Sequence, residues 1–158
     1  MRPIQLICSA CFAILGAVHG AGADEAWTLG NYTIAKNKSC SLSRVDQGRS
    51  FSLFLTLLSG KTDQGVVGLV FDEPKLVQGA NKALATLEFG NGTRESHRLE
   101  VTSTGHLLVP IVTLNLPDAL QTFSESRTLT VSTRFGSTSY NLAGIGARIP
   151  DLRACAGS

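Results

Sequence analysis

The run Phe51-Ser52-Leu53-Phe54-Leu55-Thr56-Leu57-Leu58, the linker Ser59-Gly60-Lys61-Thr62-Asp63-Gln64-Gly65 and the return Val66-Val67-Gly68-Leu69-Val70-Phe71 together decide the fold class. Phe51, Leu53, Leu55 and Leu57 recur at every second position, the period of a strand, and Phe54 and Leu58 add apolar area to the other face. A strand apolar on both sides belongs in the middle of a sheet. The linker is rich in turn formers and the return is apolar throughout, so the two runs make a hairpin. Asp72-Glu73-Pro74 ends it, because proline has no N–H to give to a ladder.

Downstream, Ala83, Ala85, Leu87 and Phe89 form one face of a strand, Gly90-Asn91-Gly92-Thr93 turns, and Glu95, His97, Leu99 and Val101 alternate on the way back. A two-residue loop at Asn91-Gly92 would set Phe89 against Arg94 and Leu87 against Ser96, apolar faces on polar ones. A three-residue loop, Asn91 to Thr93, with a glycine-assisted bulge pairs Phe89 with Glu95, Leu87 with His97 and Ala85 with Leu99. Arg94, Ser96, Arg98 and Glu100 then face solvent beside Glu88. Leu107 to Val112 is apolar, but Pro110 confines it to an edge or a strand end. Leu116 to Phe123 reads as a short helix, with Pro117 at its first position, Asp118 complementing the dipole, and Leu116, Leu120 and Phe123 on one face. Leu129, Val131 and Phe135 alternate in a further strand, which Gly136-Ser137-Thr138 turns toward Tyr140 and Leu142.

Upstream, Trp27 to Ala35 alternates loosely as a first strand bent at Gly30-Asn31, and Lys36-Asn37-Lys38-Ser39 is a polar loop into Cys40. At the other end, Ile145, Ile149 and Leu152 fall at helical spacing and share a face with Cys155. Pro150 removes a donor and meets the carbonyl of Gly146, so a glycine-rich bend followed by a short helix restarting near Pro150 is expected. The fold class is β-rich, all-β or α+β: a single antiparallel β-sandwich or curled sheet with short helices, one of them C-terminal.

Residues 1–23 open with Arg2, run apolar from Ile4 to Val18 and end Ala21-Gly22-Ala23, the pattern of a cleaved signal peptide; the apolar run is short of the roughly 20 residues that a membrane span needs. A lipoprotein reading at Cys8 or Cys11 lacks the small-residue box that ends the apolar run. The mature chain, 24–158, is the size of one domain, carries no second long apolar stretch, and is expected to be periplasmic or secreted. Beyond the leader only Cys40 and Cys155 remain, and two thiols in an exported chain most simply pair as a disulfide. The sequons at Asn31, Asn37 and Asn91 mark surface loops.

Fourteen basic against twelve acidic side chains, with no run of like charge, make a poor surface for gripping polyphosphate, so no nucleic acid is expected as partner. Two histidines beyond the leader, His97 and His106, with no HExxH and no CxxC, offer no metal ligand set, and no metal or other cofactor is called for. No Gly-x-Ser-x-Gly elbow, Gly-x-Gly-x-x-Gly or Walker-type lysine loop is present, so no catalytic residues are assigned and an enzyme is the least favoured class. The candidate binding residues are His97, on the half-buried face with Glu95 two positions away, and its exposed neighbours Arg94 and Arg98. Asp72-Glu73 and Asp118 read as turn and helix-start carboxylates.

The order Tyr140-Asn141-Leu142-Ala143-Gly144-Ile145 through Leu152, an aromatic-x-Leu-x-Gly-apolar pattern leading into an apolar helix, resembles the C-terminus of the invasion-associated locus B group of secreted proteobacterial proteins. The preceding helix at Leu116 to Phe123 and the strand at Leu129-Thr130-Val131 follow the same order, so the resemblance spans roughly Leu107 to Cys155. The chain departs from that group's smooth Ala/Leu helix at Gly146 and Pro150. The resemblance implies an exported, β-rich, non-enzymatic protein of the envelope or host interface that binds a protein partner, and it carries no catalytic residues over. The alternative is a periplasmic inhibitor or accessory module of the lysozyme-inhibitor type. Those proteins present a Ser-Gly-x-x-Tyr loop, whereas Ser59-Gly60 lacks the tyrosine and Tyr140 lacks the Ser-Gly.

Overall fold

The structure is a computed structural model and describes residues 26–34 and 37–158. The signal-peptide and lipoprotein readings fall on residues 1–25, outside the described residues. Among the described residues the strands are β1 (Thr28–Ile34), β2 (Asn37–Asp46), β3 (Arg49–Leu57), β4 (Gly65–Phe71), β5 (Lys82–Phe89), β6 (Arg94–Val101), β7 (Leu107–Thr113), β8 (Thr128–Thr133) and β9 (Gly136–Asn141). The helices are α1 (Leu116–Glu125) and α2 (Ile145–Gly157), and a single 3-10 turn spans Pro74–Leu76. The strands make one antiparallel sheet in the order β1-β2-β3-β4-β7-β6-β5-β8-β9, curled into a half-barrel.

The hairpin of residues 51–71 sits inside that sheet, with Leu53 opposite Leu69 and Leu55 opposite Val67. Its alternation supplies the inner face: Phe51, Leu53, Leu55, Val67, Leu69 and Phe71 are all buried, and the apolar faces of α1 and α2 pack into the same core. On the convex face Phe54 is buried as well, because Gly68 leaves room for it; a Cβ at Gly68 would lie 1.8 Å from the Phe54 ring. Curling brings the first strands to the last. The Trp27 indole N–H donates to the Ala143 carbonyl at 2.9 Å, the Arg44 guanidinium reaches the same carbonyl at 3.2 Å, and Arg49 donates to the Thr138 hydroxyl at 2.9 Å. Between them the Phe51 ring lies 6.1 Å from Trp27 and 4.9 Å from Tyr140.

Helix α2 closes the core. Ile145, Ile149 and Leu152 are buried, and Cys155 is joined to Cys40 of β2 with Cα atoms 6.0 Å apart. The expected bend does not occur, since the helix runs unbroken from Ile145 with Pro150 inside it. The break is avoided because Pro150 forfeits only the bond to Gly146, one turn from the helix start, while the buried face and the disulfide hold the rest. Gly146 proves to be a contact residue, since a Cβ there would lie 2.7 Å from the Ser124 hydroxyl and 2.9 Å from its carbonyl at the end of α1. Helix α1 starts as expected, with Leu116, Leu120 and Phe123 buried and Asn115 capping the Asp118 N–H.

Four local expectations shift. Lys38 and Ser39 belong to β2 and not to a loop, paired across to Thr33 and Thr56. β1 pairs with β2 continuously through Gly30 and Asn31. The turn before β9 falls at Arg134-Phe135, and Gly136 to Thr138 lie in the strand. The β5–β6 loop has three residues and a bulge glycine, Gly92 at φ 91°, but it spans Gly90 to Gly92, so Leu87 faces Glu95, Ala85 faces His97 and Ala83 faces Leu99. The two-residue offset keeps every side chain on its expected face.

Candidate functional site

Pro110 does not lie on an edge strand. β7 pairs with β4 along its whole length, from Leu107 opposite Phe71 to Thr113 opposite Gly65, and has β6 on its other side. On that side pairing stops after Glu100 opposite Leu108 and Val101 opposite Leu107. The hydrogen-bond parity explains the stop. Phe89 N–H donates to the Thr93 carbonyl and Val101 N–H to the Asn81 carbonyl, so the odd-numbered residues of β6 bond with β5 and the even-numbered ones turn their N–H and C=O toward β7. Thr102 N–H donates to the His106 carbonyl at 2.8 Å, and exchanging pairs recur at every second residue, so the next pairs are Glu100/Leu108 and Arg98/Pro110. Pro110 has no N–H for the last of these, and the ladder ends there.

Beyond Pro110 the two strands part and a cleft of about 260 Å3 opens between them. Glu95 of β6 forms one wall, Ile111 to Thr113 of β7 the other, and Asn115, Asp118, Ala119 and Phe123 of the α1 end close the floor. The floor is rigid: Phe123 meets Phe89 edge-on at 5.0 Å, and Leu116 N–H is tied to the Asp63 carbonyl of the β3–β4 loop at 2.8 Å. Asn115 donates from its amide to the Asp118 carboxylate at 2.5 Å and accepts from the Asp118 N–H at 3.4 Å. Val112, on the outer face of β7, is 72% exposed.

His97 stands on the concave face next to the cleft, its side chain 22% exposed, with its Nε2 2.8 Å from the Glu95 carboxylate. Arg94 and Arg98 are exposed on the opposite face of β6, Arg94 across from Glu88 and Arg98 across from Leu84. The candidate residues therefore do not converge side chain to side chain. What they share is the main chain of β6 where its pairing with β7 has stopped. Asp118, a helix-start residue by sequence, also lines the cleft, and Glu95 forms its wall. The only sequence signal for the cleft was Pro110, whose meaning depends on which strand lies across from it.

Among the described residues no group of three or more His, Cys, Asp or Glu side chains is placed to hold a metal ion, and no helix is long and apolar enough to cross a membrane. Comparison with protein-family models, with curated proteins and with solved structures found no match to this chain.

Proposed function

We propose that this chain is an exported, non-enzymatic binding protein of the envelope or host interface, and that it engages a protein partner at the β6–β7 cleft. The observation that carries the reading is the interrupted ladder: a strand inside the sheet whose pairing stops beside a preformed cleft suits completion by another chain. The Cys40–Cys155 disulfide supports residence in an oxidising compartment, periplasmic or secreted. The C-terminal resemblance to the invasion-associated locus B group points the same way. His97 beside the cleft is hydrogen-bonded to Glu95, which holds that carboxylate at the cleft wall.

The test uses the chain as bait against envelope and host extracts, beside a variant whose cleft is filled by Ala119→Arg. A partner held by the wild type and lost by the filled variant supports the reading, with lysozyme inhibition assayed in parallel as the alternative. Turnover of a substrate panel with no captured partner would reverse it.

A further inference from the structure

We propose that the ligand of this cleft is an extended peptide segment that adds as a strand to the open edge of β6 and places a lysine or arginine side chain between Glu95 and Asp118. The inference rests on the binding reading above and names the chemistry of its partner.

Three observations define the occupant. The first is the edge: Arg94 and Ser96, paired with β5 on one side, turn their N–H and C=O groups toward β7, and β7 pairs with neither. Two-residue spacing of such groups is matched by another extended chain and by little else. The second is the cleft's charge. Glu95 and Asp118 contribute carboxylates and no lysine or arginine lines it, while Val67, Ile111, Ala119 and Phe123 offer an apolar wall. An amphipathic cation fits both halves, its stem on the apolar wall and its head at the carboxylates. The third is the opposite face, where Arg94 and Arg98 are exposed.

Strand geometry joins the three. In an antiparallel guest, as in every pair of this sheet, residues opposite Arg94 and Ser96 exchange hydrogen bonds with β6 and share the convex face with Arg94 and Arg98. The residue between them points into the cleft. The guest therefore reads acidic-basic-acidic, with the cation inward and the carboxylates beside the arginines.

The probe is the synthetic peptide Thr-Val-Glu-Lys-Glu-Val-Thr, titrated into the purified chain by calorimetry, with amide exchange of Arg94 and Ser96 followed by NMR. Replacing the lysine with glutamate should weaken binding about tenfold or more, and N-methylating both glutamates should do the same, since their N–H groups face β6. N-methylating the lysine, whose N–H faces away from β6, should change affinity less than threefold. Exchange at Arg94 and Ser96 should slow when the peptide is bound. Failure of the lysine peptide to bind at millimolar concentration, equal binding by the glutamate or the doubly N-methylated peptide, or unchanged exchange at Arg94 and Ser96 overturns the proposal. Protection of those amides that grows with protein concentration in the absence of peptide also overturns it, because a second copy then fills the notch. Capture of a partner through the cleft in the bait experiment, together with indifference to N-methylation here, would sink strand addition while leaving the binding reading in place.

Discussion

Single side chains decide how tightly the sheet can curl and how it responds to pH. Tyr140 is buried against Phe51 and Phe71, with its hydroxyl beside Thr138. Burial, with the nearby Glu73 carboxylate adding to it, drives its phenol well above its ordinary value near 10. A folded-state value raised in this way means that Tyr140 contributes its full stability below about pH 10, and that the contribution is lost as the pH rises toward the folded value. Tyr140→Phe should therefore be within about 1 kcal/mol of wild type at pH 8, and more stable than wild type above pH 10, as read by urea unfolding at both pH values. Gly68 is the second such residue. Gly68→Val should destabilise by about 1 to 3 kcal/mol, because its side chain would occupy the space of the Phe54 ring, and combining it with Phe54→Ala should recover part of the loss. Neither effect follows from composition, since each depends on which residue lies across the sheet.

At the scale of elements, two features set what is fixed and what is open. The disulfide joins β2 to α2 across 115 residues, and the chain-entropy account assigns such a loop about 4 to 5 kcal/mol at most. Cys155→Ser should lower the melting temperature on the order of 10 °C and expose α2 to trypsin at Arg148 and Arg153, checked by calorimetry and limited proteolysis. Pro110 acts in the opposite sense, holding the β6–β7 ladder open. Pro110→Val returns the missing N–H opposite Arg98, so amide exchange at Ser96 and Arg98 should slow without any ligand, and binding at the cleft should fall about tenfold. Faster exchange, or unaltered binding, would count against the notch as the site.

For the molecule as a whole, the half-barrel, the helix cap and the disulfide form a scaffold in which one sheet interior is left incomplete. Filling the cleft with Ala119→Arg should leave the circular dichroism spectrum and melting temperature close to wild type while abolishing partner capture, because Ala119 is only half-buried on α1. Local sequence determined much of this protein. The period-two apolar runs at Phe51 to Phe71 and Ala83 to Phe89, the helix start at Leu116-Pro117-Asp118 and the buried face of Ile145, Ile149 and Leu152 each carry their structure within a few residues. β2 was less legible, since Ser39, Ser41 and Ser43 alternate with Cys40, Leu42 and Arg44, and only the neighbouring strands show that Cys40, Leu42 and Arg44 face the core and that Ser39 is buried as well. Sequence placed Cys40 and Cys155 as partners by elimination. Tertiary structure decided that Gly146 is a helix–helix contact and that α2 passes through Pro150 unbroken. It also decided that β7 lies inside the sheet, where the missing N–H of Pro110 faces β6. Periodicity reports which face of an element is buried, whereas the cleft exists because of what stands across from one proline, and only long-range pairing sets that.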